Sequence, residues 1–374
     1  MSRTRGLAWL LTIATALLLL AGASPAWASP AYDQRADESG VIPRAAPARY
    51  FIGQLKHSVQ TLNNCGPASV VSVLSYYGID VSQEAARQVL RPYAESRGMG
   101  WQVIAPYVAT FGLETKPRVN GNDDIIKALV ANDIPVIVLQ IVSESYRVGH
   151  FRVVQGYDDK AGVFYANDSL LGPNIAIPYA SFDARWEQLG YSWNRYIPIY
   201  RPEQAPLVAA ILGTDWSDVG MYTRALPDVR AAAADNPDDR QAWSRLVEAL
   251  TGAERYQEAL TTLDRSPNGR SGPGVGGPGG AANTSTTRIK LLNKVGRYQE
   301  ALDAAETAIA RGGSVGGRDN GFGGGANGAL WLQQAEALRG LGRLGEARAA
   351  YQRAIDADPQ GTEAADRLAT LPGR

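Results

Sequence analysis

The sequence predicts an α+β amino-terminal domain, with helices packed on an antiparallel sheet, followed by an all-α domain of helical repeats. Two observations favour this division. Helical apolar spacing and β-branched runs alternate in residues 49–202, whereas Ala, Leu and Arg at helical spacing dominate residues 221–374. In that second part the text RYQEAL occurs twice, which is typical of a repeat protein. We expect residues 203–220 to be a linker between the two domains.

The amino terminus resembles a secretory signal. Two arginines precede a long apolar run and a series of small residues that ends at Ala28, so residues 1–28 are predicted to be a cleaved signal peptide. The Pro-, Ala- and charge-rich residues 29–48 then form a flexible linker. An uncleaved anchor is the alternative. After cleavage we expect a secreted or periplasmic protein without stable membrane insertion.

Charge and composition exclude several functions. The chain has 37 basic and 37 acidic residues, which gives no electrostatic reason to expect nucleic acid as a partner. Its two histidines and single cysteine are too few for a zinc site, so we expect no metal and no cofactor. The expected partner is a peptide or protein substrate.

Cys65 is the only cysteine in the chain, and it lies at the start of a predicted helix that ends near Gly78. Asn63 or Asn64 can cap this helix. The positive end of the helix dipole and the free amide donors favour a thiolate over a thiol. An exported chain with one cysteine cannot form an internal disulfide. A buried core cysteine and an intermolecular disulfide are the alternatives.

Other periodic segments place further elements around this helix. The β-branched run IPVIVLQIV is typical of a strand buried on both faces, and two alternating segments after it predict an antiparallel hairpin. The predicted helices are 82–93, 101–111 and 123–133, and the predicted strands are 50–55, 134–142, 150–157 and 163–168.

The hairpin register can also be predicted. If the turn centres near Asp159, His150 faces Asp168 across the two strands, with β-carbons about 5 Å apart. A slip by one residue would place Asn167 opposite His150 and would turn the side chains to the other face of the sheet. Either partner could orient an imidazole.

These residues match the chemistry of a thiol nucleophile, which needs a base, an orienting group for that base and donors for an oxyanion. We predict Cys65 as nucleophile, His150 as base and later acid, and Asp168 as the orienting carboxylate. Gln60 could supply the second oxyanion donor beside the backbone N–H of Cys65. The other histidine, His57, is predicted to be exposed.

The segments that carry these residues resemble the double-glycine-peptidase superfamily of papain-like cysteine peptidases. They are Gln60 followed by NNCGPAS, then GHFRVVQGY, then YANDS. The resemblance is greatest to exported members that stand alone without a transporter, and it covers about residues 49–202. It implies a papain-like fold, peptidase activity, and the triad Cys65, His150 and Asp168. In the family the glutamine often stands six residues before the cysteine rather than five, and proline often replaces Ser169.

The second half resembles tetratricopeptide repeats, which are helix-turn-helix units. Similar segments begin at Arg255, Arg297 and Gly342, at periods longer than the usual 34 residues. Glycine-rich inserts at residues 266–284 and 312–328 account for the excess, and we expect them to loop out. Such repeats offer a surface for a protein partner, although a spacer or an internal dock for the first domain remains an alternative. Self-processing after Gly-Gly in the inserts is a further alternative.

The sequence therefore predicts an exported cysteine peptidase that forms a thioester at Cys65, with repeats that recruit substrate or a partner. A cysteine-dependent acyl or peptidyl transferase would use the same covalent step and pass the acyl group to an amine. A non-catalytic peptide-binding or assembly module would keep the fold with an ordinary thiol.

Overall fold

The structure is a computed structural model that describes most of the chain. The predicted signal peptide, residues 29–39 of the predicted linker, and most of both glycine-rich inserts lie outside the described residues. The described residues are 40–53, 55–92, 98–189, 193–267, 280–310, 326–358 and 362–372.

The first half combines helices with one antiparallel sheet, as the sequence predicts. Its described strands are β1 (Arg49–Phe51), β2 (Glu114–Thr115), β3 (Val136–Ser143), β4 (Tyr146–Asp158), β5 (Val163–Asp168), β6 (Gly172–Pro178) and β7 (Tyr196–Tyr200). Its described helices are α1 (Cys65–Tyr76), α2 (Gln83–Leu90), α3 (Ile104–Ala109), α4 (Asp123–Ala131), α5 (Tyr179–Gln188) and α6 (Ala205–Leu212).

The strands follow the order β2-β7-β3-β4-β5-β6 across the sheet, and β1 pairs with the far end of β4. The β3 strand lies in the interior, and its residues from Val136 to Val142 are all buried, because both faces of the sheet are covered. Helix α1 packs on β4 and β5, while α5 packs on β3. Helices therefore pack on both faces of the sheet at its centre.

The hairpin of β4 and β5 has a different register from the predicted one. Val153 lies opposite Asn167, so the strands are offset by two residues from the arrangement that would pair His150 with Asp168. Continuing this register by one residue places Arg152 opposite Asp168. The turn is centred between Lys160 and Ala161 rather than near Asp159, and a bulge between Val154 and Gly156 interrupts the pairing.

This correction does not move the side chains to the other face of the sheet. Side chains alternate along a strand, so an offset of two residues preserves the face, whereas an offset of one would reverse it. His150, Arg152 and Asp168 thus share one face, and Asn167 lies on the opposite one. The predicted pairing of His150 with Asp168 across the strands was wrong, but the prediction that their side chains lie on the same face of the sheet was correct.

Two segments predicted to be linkers are partly built into the first domain. In the predicted linker 203–220, helix α6 follows a 3₁₀ turn (Pro202–Gln204), and a second 3₁₀ turn (Gly213–Trp216) follows the helix. Val208 and Ile211 of α6 are fully buried, because the segment APLVAAIL is apolar enough to join the core. In the predicted linker 29–48, the backbone of Arg44 exchanges hydrogen bonds with the Asn132 side chain.

The second half is all-helical in the part that the structure describes. Consecutive helices contact each other along the chain, as expected for helix-turn-helix repeats. Helices α10 and α12 begin inside the predicted inserts, so the ends of these inserts join the helices. The helices are α7 (Asp218–Asp235), α8 (Arg240–Gly252), α9 (Tyr256–Arg265), α10 (Gly280–Lys294), α11 (Tyr298–Ala310), α12 (Ala326–Gly340), α13 (Leu344–Ala357) and α14 (Glu363–Ala369).

The first helix of this half docks directly on the first domain. The buried Arg118 guanidinium donates to Asp218 of α7 at 2.6 Å, and Arg224 of α7 donates to the carbonyl of Asn120 at 3.1 Å. Trp193 of the first domain is buried in the core of the helical half. The two halves are therefore joined by packed contacts as well as by the chain.

None of the helices within the described ranges has the length and apolar character required to cross a membrane.

Candidate active site

Cys65 is the first residue of α1, where the thiol lies close to the positive end of the helix dipole. Asn64 occupies the N-cap position, as the sequence suggested, but its side chain does not cap the helix. Its amide oxygen instead accepts a hydrogen bond from Nε of Arg91 at 2.9 Å, and its amide nitrogen donates to Thr61. The first amide groups of α1 therefore remain available to the thiol.

His150 lies in the middle of β4, next to Cys65 and almost completely buried. Its Nε2 atom is 2.9 Å from Oδ1 of Asp168. The other ring nitrogen, Nδ1, is left to interact with the Cys65 thiol, whose pKa His150 lowers. The structure thus brings the three predicted residues together in the order Cys65, His150, Asp168.

The contact between thiol and imidazole changes the protonation of both groups. Burial raises the pKa of Cys65, but the hydrogen bond and charge of His150 and the backbone N–H groups of Phe151 and Gly66 together lower it below its ordinary value. Burial lowers the pKa of His150, but Asp168 and Cys65 raise it overall. Opposite shifts of this kind favour a thiolate–imidazolium pair at intermediate pH.

Asp168 is fully buried at the end of β5 and is surrounded by donors. Its Oδ1 atom accepts from the backbone N–H groups of Leu170 and Leu171 at 2.8 and 2.9 Å, in addition to His150. Burial raises the pKa of Asp168, but His150, Arg152 and the Leu171 amide lower it well below its usual range. The carboxylate therefore stays charged when the imidazole must be oriented.

Arg152 is a site residue that the sequence reasoning missed. It is fully buried, and its Nε atom donates to Oδ2 of Asp168 at 2.9 Å. The available signal was its position two residues after His150, since residues i and i+2 of a strand share a face. A guanidinium within the apolar run of β4 also indicates a buried acceptor.

Gln60, the predicted oxyanion donor, contacts Ser169, the residue that follows the strand carrying Asp168. Its backbone N–H donates to the Ser169 carbonyl at 3.0 Å, and its side-chain oxygen accepts from the Ser169 hydroxyl at 2.9 Å. Among the described residues, Ser169 is the only hydrogen-bond partner of the Gln60 side chain. The amide nitrogen of Gln60 is then the group left for a substrate.

His57 is less exposed than the sequence predicts. It is half-buried, and its Nδ1 atom is 2.7 Å from Oδ1 of Asn167. Asn167 also donates to the Ser72 hydroxyl of α1 at 3.1 Å, so it faces away from His150. This arrangement selects Asp168 over Asn167 as the partner of the imidazole.

Within the described ranges of the chain, no three His, Cys, Asp or Glu side chains are grouped so that they could hold a metal ion.

Comparison with protein families supports the sequence resemblance. The model of the family described as "Peptidase_C39 like family" matches residues 50–193. Residues 50–193 are therefore a Peptidase C39-like domain. Two models described as "Tetratricopeptide repeat" match residues 218–270 and 287–362, so tetratricopeptide repeats follow this domain, as predicted. No curated protein matches the chain.

Several solved structures are similar to parts of the chain. The peptidase domain of Streptococcus ComA, a bi-functional ABC transporter involved in a quorum sensing pathway, is 22% identical, with a TM-score of 0.33. The match covers 40% of this chain and 99% of that domain. A double glycine motif protease from an AMS/PCAT transporter, in complex with the leader peptide, is 22% identical over 41% of this chain and 94% of its own, with a TM-score of 0.31. MamA 41-end from Desulfovibrio magneticus RS-1 is 20% identical over 41% of this chain and 75% of its own, with a TM-score of 0.31.

The C39-like site predicts the pH dependence of thiol reactivity. Because His150 lowers the pKa of Cys65, iodoacetamide should modify the full chain rapidly well below pH 8.5, the ordinary thiol value being about 8.5. In a His150→Ala variant only the burial and the backbone amides remain, so the midpoint should rise towards or above that value. The rate of alkylation against pH measures both, and it reports one residue because the chain has one cysteine.

His57→Ala is the matched control, since it removes the other histidine of the chain. It should keep the wild-type profile. A wild-type midpoint at the ordinary thiol value would contradict an activated thiolate.

Proposed function

We propose that the chain is an exported cysteine peptidase that cleaves a peptide or protein bond through a thioester at Cys65. The supporting observation is the series of a half-buried Cys65 and a buried His150 and Asp168, in which His150 lowers the pKa of the thiol. The Peptidase C39-like fold of residues 50–193 agrees with this interpretation. Hydrolysis and export are our inference from the site and from the sequence.

The proposed reaction uses each group in turn. The Cys65 thiolate adds to the carbonyl carbon of the substrate, and the imidazolium of His150 then gives its proton to the leaving amine as the carbon–nitrogen bond breaks. A thioester remains. His150, now neutral, takes a proton from a water molecule that attacks the thioester, and the carbon–sulfur bond breaks to release a carboxylic acid and the thiolate.

Asp168 orients His150 during both steps. Its Oδ1 atom bonds Nε2, which keeps a proton on that nitrogen and leaves Nδ1 to exchange a proton with sulfur, amine and water. The hydrogen bonds from Leu170 and Leu171 hold the carboxylate in place. Asp168 therefore acts on the substrate only through the imidazole.

The oxyanion of the tetrahedral intermediate requires donors near the nucleophile. The backbone N–H of Cys65 lies in the first turn of α1, where amide groups have no partner within the helix. We propose the amide nitrogen of Gln60 as the second donor, because the bond from Ser169 fixes the amide oxygen of this side chain.

Loss of the nucleophile should abolish turnover without loss of binding. A Cys65→Ser variant should cleave no member of a fluorogenic peptide pool that includes paired-glycine sequences, because a serine hydroxyl at this site is not ionised as the thiol is. Mass spectrometry of the products identifies the reaction, and fluorescence anisotropy measures peptide binding.

Residual turnover by Cys65→Ser would contradict the proposed mechanism. Products that carry an added amine in place of a free carboxylate would instead identify a transferase. Binding without turnover by the wild-type chain would identify a non-catalytic module.

The role of Gln60 can be separated from that of the thiolate. A Gln60→Ala variant should lower kcat by about 100- to 1000-fold, the usual effect of losing one oxyanion donor. Its alkylation profile should stay unchanged, because Gln60 is not among the groups with the largest effects on the pKa of Cys65. Ser169→Ala is the control, since it removes the hydrogen bond of Gln60 but keeps the amide donor, and it should reduce kcat far less. Equal kcat values for Gln60→Ala and the wild type would exclude this role.

We also propose that the tetratricopeptide repeats recruit a protein substrate or partner. The matches at residues 218–270 and 287–362 support an interaction domain, and the docking of α7 holds it on the peptidase-like domain. A fixed repeat domain increases the effective concentration of a substrate that it binds.

An intact protein substrate and a short peptide that contains only its cleavage site should bind the Cys65→Ser variant with different dissociation constants. The protein contacts the repeats as well as the site, so it should bind at least about tenfold more tightly than the peptide, measured by titration calorimetry. Equal dissociation constants would contradict recruitment by the repeats.

Export is proposed from the sequence of residues 1–28. If the signal is cleaved after Ala28, the chain recovered from outside the cytoplasm begins at Ser29, and sequencing of its amino terminus checks this. A chain that retains Met1 would contradict cleavage.

A further inference from the structure

The guanidinium of Arg152 is enclosed by hydrogen-bond acceptors. In addition to Asp168, its Nη1 atom donates to Oε1 of Gln140 at 2.6 Å and to the Ile141 carbonyl at 3.3 Å. Its Nη2 atom donates to the Val142 carbonyl at 3.1 Å. All three guanidinium nitrogens are thus engaged, and the side chain cannot reorient without losing several bonds.

Gln140 holds this arrangement from the neighbouring strand. It is fully buried on β3, directly opposite His150, and its amide nitrogen donates to the Phe182 carbonyl of α5 at 2.9 Å. Because that bond fixes the amide, the oxygen must point towards Arg152. The chain of contacts therefore runs from α5 through Gln140 and Arg152 to Asp168.

The two carboxylate oxygens of Asp168 accept hydrogen bonds from different groups. Oδ1 accepts from His150 and from two backbone amides, whereas Oδ2 accepts from Arg152. Without Arg152 the Oδ2 atom would lose the only side-chain cation that bonds it among the described residues. A buried carboxylate without such a partner is strongly disfavoured relative to its protonated form.

We propose that Arg152 is a positioning residue that keeps Asp168 ionised and oriented towards His150. It thereby sets the lowest pH at which Cys65 remains a thiolate, which we call the acid limit. The proposal rests on the proposed function, because it concerns the same nucleophile. It extends that function by adding Arg152 and Gln140 to the groups that control the site.

The acid limit follows from the order of protonation. When Asp168 gains a proton, it no longer stabilises the imidazolium of His150, and the thiolate loses its counter-ion. Arg152 pushes this event to lower pH. A variant that lacks the positive charge should therefore lose the thiolate at a higher pH than the wild type does.

Other charged groups face the same cluster and would act on it in every variant. Arg185 of α5 repels Arg152, and Arg91, which follows α2, attracts the Cys65 thiolate. Both arginines stay in place when position 152 is changed. Their effects on the thiolate therefore cancel when variants at position 152 are compared with each other.

A purely structural role makes a different prediction. Buried ion pairs often contribute little net stability, and removing one partner mainly destabilises the fold. Such a loss would lower the amount of folded protein at every pH. It would not move the midpoint of the alkylation profile of the molecules that remain folded.

The test is the pH profile of iodoacetamide alkylation of the full chain, in the wild type and in Arg152→Gln. The glutamine amide of this variant can donate to Asp168 but carries no charge, so the acid-side midpoint should rise by about one pH unit, which corresponds to about tenfold slower modification below the wild-type midpoint. Arg152→Lys keeps the charge and should recover most of the shift. Arg147→Gln, an exposed position on the same strand, is the matched control and should leave the profile unchanged.

Gln140→Leu keeps the proposal testable if Arg152→Gln does not fold, as judged by circular dichroism. It removes the acceptor at 2.6 Å and leaves the bond between Arg152 and Asp168, so it should shift the midpoint in the same direction by a smaller amount. A folded Arg152→Gln with the wild-type midpoint would overturn the proposal, as would an unshifted Gln140→Leu when Arg152→Gln is unfolded. A wild-type midpoint near pH 8.5 would instead refute the activated thiolate of the proposed function.

Discussion

The hydrogen bond between His150 and Asp168 is the interaction on which the rest of the site depends. It joins β4 to the end of β5 at 2.9 Å, in a position from which water is excluded. Two backbone amides and one guanidinium surround the carboxylate, so its charge persists despite complete burial. An ionised, fixed carboxylate in turn keeps the imidazole oriented towards Cys65. The reactivity of the Cys65 thiol thus depends on Asp168, which acts on the sulfur through His150.

Helix α1 places the Cys65 thiol on the side of the imidazole opposite Asp168. Helix α1 packs on β4 and β5, so the first residue of the helix meets the imidazole that projects from the sheet. The helix dipole and the first amide groups act in the same direction as the imidazolium, since all of them favour a negative sulfur. Burial opposes them, and the net lowering of the pKa of Cys65 shows which effect is larger.

The two halves of the chain share an interface that has consequences for function. Trp193 belongs to the Peptidase C39-like match but lies in the core of the helical half, and Arg118 bonds Asp218 of α7. A partner held by the repeats would therefore lie at a defined distance from Cys65. A flexible tether could not provide this, because the position of a flexibly linked domain is averaged over many conformations.

The sequence by itself determined several of the elements and the identity of the candidate site residues. A single cysteine before a helical pattern, an alternating hairpin with His150, and an acidic residue after it sufficed to select Cys65, His150 and Asp168. The repeat texts in the second half likewise predicted tetratricopeptide repeats, which the family matches confirm. These features are local, so composition, period and spacing carry them directly.

Only the tertiary structure decided how these groups are held. The register of β4 and β5 depends on a bulge and on where the turn is centred, which spacing alone does not specify, and it placed Arg152 rather than His150 in line with Asp168. The partners of Arg152 come from β3 and, through Gln140, from α5, elements that are distant in sequence. The helical character of residues 205–212 was also decided by burial against the first domain. Each of these depends on contacts between separate segments, and such contacts leave no regular pattern in the sequence.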